Sequence, residues 1–209
     1  MRTARFVAGA VALSLFLGAQ AVGALMDDPN GMGGDWQGRR AYLSQPINAI
    51  AVDIEFCVYA PGQFERSYPG LDPSGGAHYV YAYEIFNDLD PHPSPSPGYV
   101  ERFSVGLDTD EQAANIGFID GAGQNPNTWG LGPQTAGWNF NDPTLSHPSV
   151  SDVLLFTSRF GPELDTATVS GSYALAATEY LPSPLPEPAA LSLLAAGAVL
   201  VAARRRRRT

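Results

Sequence analysis

The stretch His78-Tyr79-Val80-Tyr81-Ala82-Tyr83-Glu84-Ile85-Phe86 decides the fold. Tyr79, Tyr81, Tyr83 and Ile85 fall on one side of a period-two pattern, and Val80, Ala82 and Phe86 on the other. Aromatic and β-branched side chains at that spacing suit a pleated surface and predict a strand. Upstream, residues 47–59 alternate in the same way through their second half. There Val52, Ile54, Phe56 and Val58 form an apolar series, with Asp53 and Glu55 facing away from it. Downstream, residues 100–107 predict a third strand, 115–120 a shorter fourth and 138–140 a fifth. Residues 150–160 read as a sixth, apolar enough to be buried on both faces, and 167–176 as a seventh. Residues 111–115 allow a helical turn at most.

Turn chemistry separates these runs. Asp72-Pro73-Ser74-Gly75-Gly76 lies between the first and second, and residues 90–98 between the second and third. Pro91, Pro93, Pro95 and Pro97 exclude helix or central strand from that segment and favour an extended loop. Residues 121–137 are rich in Gly, Asn and Pro and are expected to form another loop. Short strands, Gly/Pro turns and no amphipathic helix predict an all-β domain over residues 25–180. The expected form is an antiparallel β-sandwich, jelly-roll or Ig-like. No repeat of 20–50 residues is visible. Residues 181–185, with Pro182 and Pro184, are expected to be a short stiff linker.

The two ends read as address labels. Arg2 and Arg5 precede an apolar run over residues 6–17, then Ala19-Gln20-Ala21 and Val22-Gly23-Ala24. A basic start, a short apolar core and small residues at the exit make residues 1–24 a signal peptide, cut after Ala21 or Ala24. This implies the Sec translocon and signal peptidase as partners. At the other end, Pro186, Glu187 and Pro188 precede an uncharged run over residues 189–203, followed by Arg204, Arg205, Arg206, Arg207 and Arg208. As a helix that run would rise ~22 Å, short of a ~30 Å hydrocarbon core, and snorkelling arginines can make up part of the gap. Basic residues on the C-terminal side alone orient such a transmembrane helix with Thr209 in the cytoplasm.

The order Pro-Glu-Pro, short apolar helix, terminal arginine cluster resembles the PEP-CTERM sorting signal of exopolysaccharide-producing Gram-negative bacteria. The resemblance covers roughly the last 25 residues, 186–209 with their flank. It implies that an exosortase, a membrane-embedded transpeptidase-like enzyme, recognises the tail and removes it. It also implies an inner-membrane-tethered precursor that passes to the cell surface or extracellular matrix. Residues 79–87, 103–108, 137–140 and 155–158 loosely resemble the small β ectodomains that often precede this tail.

Charge sharpens once the signals are set aside. The chain carries −9 overall and no lysine, but seven of its twelve arginines lie in the two signals. Between residues 25 and 185 five arginines face twenty acidic residues, a balance of −15. Such a surface repels nucleic acid, so none is expected as a partner. Cys57 is the single cysteine, which excludes an internal disulfide and reads as a small strand residue.

The search for chemistry gives little. His78, His92 and His147 form no metal-ligand spacing, and His92 and His147 read as exposed loop residues. No G-x-S-x-G elbow is present. Asp108, Asp110 and Glu111 offer clustered oxygens that could suit calcium, although no EF-hand loop surrounds them. Asp88 and Asp90 do the same on a smaller scale. Tyr79, Tyr81 and Tyr83 on one strand face, with Trp36, Trp129 and Trp138, raise sugar stacking, against the alternative that they are core.

No catalytic residue, cofactor or metal site is therefore expected, and the chain is not expected to be an enzyme. The expected role is structural or interactive, at the cell surface or in a biofilm, with exopolysaccharide as a possible partner. A carbohydrate- or calcium-binding module is the alternative, and a secreted hydrolase ranks below both.

Overall fold

The computed structural model describes residues 25–108 and 112–185. The expected signal peptide, the Pro186–Glu187–Pro188 tail with its apolar run and arginines, and residues Asp110 and Glu111 lie outside the described residues. Among the described residues no helix is long and apolar enough to cross a membrane.

Twelve strands form two antiparallel sheets among the described residues. The first sheet runs β1 (Gln37–Leu43), β2 (Ala51–Tyr59), β3 (Tyr79–Asn87), β10 (Val153–Ser158), β5 (Ala114–Ile119), with β9 (Ser149–Val150) on the end of β3. The second runs β12 (Ala176–Pro184), β11 (Pro162–Gly171), β4 (Tyr99–Gly106), β7 (Thr135–Asn139), β6 (Thr128–Gly132). Here β8 (Leu145–Ser146) pairs with β4. The chain changes sheet on passing from β3 to β4, β4 to β5, β5 to β6, β8 to β9 and β10 to β11. A four-residue helix, α1 (Phe64–Ser67), stands between β2 and β3.

The faces predicted for β3 are the faces observed. Tyr81, Tyr83 and Ile85 enter the core between the sheets, with Tyr79 packed at its margin. Val80 and Ala82 enter a second, smaller cluster on the outer face of the first sheet. The 3-10 turn Leu25–Asp27 and α1 cap that outer cluster, with Leu25 and Phe64 wholly buried. The main core is aromatic at its centre. Tyr83 meets Phe103 and Trp138 from the opposite sheet, and Phe103 stacks on Trp138 with ring centres 5.7 Å apart. Such pairs contribute ~0.5–1.5 kcal/mol each beyond area burial. Side chains also bond from one sheet to the other, and the Asn87 amide of β3 donates to the Leu145 carbonyl of β8 at 2.9 Å. The Tyr83 hydroxyl donates to the Pro182 carbonyl at 2.5 Å, and the Trp138 indole N–H donates to the Gly117 carbonyl at 2.8 Å.

Several expectations change. Residues 181–185 are no linker: Leu181, Pro182, Ser183 and Pro184 complete β12 and are buried. β12 is an edge strand, paired only with β11, so a proline without an N–H is tolerated there. The glycine-rich stretch 121–137 contains β6 and the start of β7, a hairpin that pairs Thr128 through Gly132 with Asn139 through Thr135. β1 carried no clear apolar alternation and also was not expected. The predicted seventh strand starts earlier, at Pro162, and stops at Gly171. The turn Ser172–Ala174, where Tyr173 and Ala174 have positive φ, separates it from β12. Gly171 is required by contact rather than by φ, because a Cβ there would run into the Tyr99 carbonyl oxygen of β4.

Candidate functional site

Sugar stacking by the tyrosine face is excluded by burial. Tyr81 and Tyr83 are 0% and 1% exposed, Trp138 is 0% exposed, and Trp36 is half-buried at the core margin. Trp129 is the exception, with 44% of its surface exposed. Directly across the β6–β7 ladder from Trp138, it stands one strand further out, on the free edge of the second sheet. There it meets Phe118 of β5, the edge strand of the first sheet, edge-to-face with ring centres 5.0 Å apart. The two rings close the seam between the sheets and leave an aromatic surface toward solvent.

A groove of about 480 Å³ adjoins this seam. It follows β5 from Asn115 to Ile119, ends at Asp120, and is walled by Leu71, Pro73 and Leu155. β5 bears it because, among the described residues, no strand pairs on its outer side and Gly117 adds no side chain. Polar groups stand at both ends. The Asn115 amide donates to Thr157 Oγ1 at 3.0 Å, and Asp120 accepts from the Asn125 amide at 3.3 Å. Apolar walls, an aromatic shoulder and terminal polar groups suit a ligand with alternating apolar and hydroxyl faces.

A second polar feature lies on the outer face of the first sheet. Arg39 of β1, Glu55 of β2 and Glu84 of β3 stand side by side in register. Arg39 pairs with Asp53 at 3.0 Å and reaches Glu55 only at 4.0 Å. Burial, then the neighbouring Glu55 and Asp152, push Glu84 up to about 7. Glu55, 3% exposed, is also raised by burial. The Asp152 carboxyl is raised by burial too. One of its oxygens accepts from Gly123 N–H at 2.8 Å, while the other is buried without a hydrogen bond. Glu55 lies beside the Leu25–Asp27 turn, where Met26 N–H reaches it at 3.5 Å, whereas Asp152 is held by the Gly121–Gly123 turn.

Nucleophilic chemistry finds no support in the geometry. Cys57 is wholly buried, and burial pushes its thiol up to about 12. His92 and His147 are half-buried rather than exposed. Their rings meet edge-to-face at 5.3 Å and hold the β3–β4 loop to the segment before β9, with His147 Nε2 at 3.1 Å from the Leu89 carbonyl. Asp28 is fully used inside the fold, accepting from the Tyr59 and Ser67 hydroxyls at 2.8 Å each and from Asn30 N–H at 2.9 Å. Among the described residues no three His, Cys, Asp or Glu side chains converge as metal ligands. Of the expected calcium trio only Asp108 is described, and it is exposed.

Sequence reasoning therefore missed the Phe118–Trp129 seam, the groove along β5 and the Glu55–Glu84 rung. Each joins residues far apart in the chain, and Trp129 lay in a stretch whose glycines suggested a loop. The expected sorting residues Pro186, Glu187, Pro188 and Arg204 to Arg208 lie outside the described residues. No family model, no curated protein and no solved structure matches the chain.

Proposed function

We propose that the chain is an exported cell-surface or extracellular-matrix protein whose C-terminal tail is processed by an exosortase. Its role is structural or interactive rather than catalytic, in contact with exopolysaccharide. One observation carries this reading: Pro186-Glu187-Pro188, an uncharged run and five arginines stand in that order after the last strand. β12 ends at Pro184, so the motif begins two residues beyond the last strand residue. The acidic balance of residues 25–185 fits a soluble, exported domain. The repeated passage of the chain between sheets fits a jelly-roll-like winding better than an Ig-like one.

The test is to express the precursor in hosts with and without an exosortase and to determine the mature C-terminus by mass spectrometry. Loss of Arg204 to Arg208 only in the competent host supports the reading. An intact arginine end on the surface protein of that host leaves a plain membrane anchor instead.

A carbohydrate-binding role is the second reading, favoured by the exposed Trp129 beside the β5 groove. Tryptophan fluorescence titrated with exopolysaccharide, with and without calcium, tests it. A response that disappears in Trp129→Ala supports it, and an unchanged signal in the wild type removes it.

A further inference from the structure

Leu25 is fixed from three directions at the head of the described chain. Its side chain is 0% exposed in the outer cluster beside Cys57, Phe64, Val80 and Ala82. Its carbonyl accepts from Gln37 Nε2 at 2.9 Å. Met26 N–H donates to the Glu55 carboxylate at 3.5 Å, which brings the preceding Leu25 nitrogen close to the same group, and the N–H groups of both residues offset part of the rise that burial imposes on Glu55. That carboxylate is 3% exposed and stands directly across the β2–β3 ladder from Glu84. Among the described residues Arg39 is the cation that reaches it, at 4.0 Å, and Arg39 is already paired with Asp53 at 3.0 Å. Asp27 adds a further negative charge nearby. Among the described residues these two opposed carboxylates on one rung, one of them buried, have no full positive partner.

We infer that signal peptidase cuts between Ala24 and Leu25, and that the resulting α-ammonium of Leu25 is the buried counter-ion of the Glu55–Glu84 pair. This rests on the export reading. Hydrolysis breaks the Ala24–Leu25 amide: the oxygen of the water goes to Ala24 as a carboxylate, and both its hydrogens end on the Leu25 nitrogen. A nitrogen that offers Glu55 one neutral N–H before the cut offers it a charged group with three donors after it. The alternative cut after Ala21 leaves Val22-Gly23-Ala24 ahead of Leu25 and an uncharged amide beside Glu55. The signal peptide thus ends where the fold needs a charge, and the processed chain is more stable than one carrying three further residues.

The chain has no lysine, so an amine-reactive reagent has one target, the N-terminus. The precursor is exported, the mature protein purified, its first residue identified by mass spectrometry, and its acylation rate by a succinimidyl ester measured. The mature chain is expected to begin with Leu25 and to react at least ~10-fold more slowly when native than in urea, because a buried amine reacts only on opening. Glu55→Gln should bring the native rate close to the rate in urea. Protection that survives Glu55→Gln in full is steric and overturns the ion pair. Ala24→Leu diverts the cut to Ala21, and that chain should label freely and unfold at lower urea. Where Glu55→Gln folds too poorly to measure, the wild-type rates and this comparison decide. A chain beginning with Leu25 that reacts equally fast native and in urea overturns the pairing, and a chain beginning with Val22 overturns the cut. A chain still beginning with Met1 removes the export reading itself and this inference with it.

Discussion

Glu55 and Glu84 share one rung of the β2–β3 ladder, so their side chains face the same side of the sheet, and Glu55 accepts from Met26 N–H of the Leu25–Asp27 turn at 3.5 Å. Like charges placed so are destabilising, and burial adds to the cost. Met26 N–H reaches Glu55 at 3.5 Å, so a charge on the neighbouring Leu25 nitrogen would bear on the ionisation of the pair.

A dependence of stability on pH follows. Burial and the facing Glu55 raise Glu84 from 4.5 to about 7, so the native state holds this proton more tightly than the unfolded chain. Arg39 and Asp53 also face the pair from β1 and β2, Asp27 from the turn above, and Asp152 from beside β10. In a chain with residues ahead of Leu25, stability is highest below pH 4.5, falls as pH rises toward 7, and levels off above it. The loss is about 1–2 kcal/mol after allowing for solvent screening at a half-buried group. Urea midpoints against pH measure it; Glu84→Gln should flatten the curve, and a chain beginning at Leu25 should show a shallower slope. A midpoint that rises between pH 4.5 and 7 contradicts the assignment.

Tyr83 joins the sheets by chemistry as well as by packing. Tyr83→Phe keeps the ring among Phe103, Trp138 and Phe156 but leaves the Pro182 carbonyl without its hydroxyl donor. The expected cost is about 1–2 kcal/mol, read by equilibrium urea denaturation with an unchanged m-value. Pro182 belongs to the segment expected to be a linker, so a neutral result would also count against its docking onto β3.

Trp138 and Trp129 are ladder partners with opposite fates. Trp138→Ala should destabilise by ~3–5 kcal/mol, since the ring is wholly buried and its indole N–H bridges to Gly117. Trp129→Ala removes a ring that is nearly half exposed and should cost only ~1 kcal/mol. Thermal denaturation of both variants checks the contrast; equal losses would mean that Trp129 is structural rather than available to a ligand.

Cys57 should behave as a reporter of unfolding. The thiol is buried and its ionisation pushed up to about 12, so native protein should resist alkylation at neutral pH and react fully in urea. Mass spectrometry after timed iodoacetamide treatment reads this. Rapid native modification would mean that the Leu25–Asp27 and Phe64–Ser67 cap opens readily.

Gly171 should tolerate no side chain. A Cβ there would run into the Tyr99 carbonyl, where the β4–β11 register shifts between Ser170 and Gly171. Gly171→Ala should cost upwards of ~2 kcal/mol or abolish soluble expression, whereas Gly130→Ala, with nothing near its Cβ, should be nearly neutral.

How much could be read in advance differed from strand to strand, for physical reasons. β2, β3, β4 and β10 were legible because side chains on a pleat alternate in direction, and a strand between two environments must alternate or run apolar throughout. β1 and β6 are edge strands with several glycines or charges and little burial, so they leave a weak pattern and are stabilised by their partners' backbone. β12 was hidden by its prolines, which an edge position admits. The groove on β5 was not legible at all, since its walls come from residues near 71, 115–120 and 155.

The local sequence carried what depends on local order: the β class, and the central strands with their two faces. Those properties rest on periodicity, turn chemistry and hydropathy, each readable within a few residues. Which tyrosines are core, which tryptophan is exposed, and which glutamates oppose each other depended on strand order and register. Those are set by pairing between segments up to about a hundred residues apart, such as Tyr83 with Pro182. For that reason only the folded sheets brought the Leu25–Asp27 turn to Glu55, and Glu55 to Glu84.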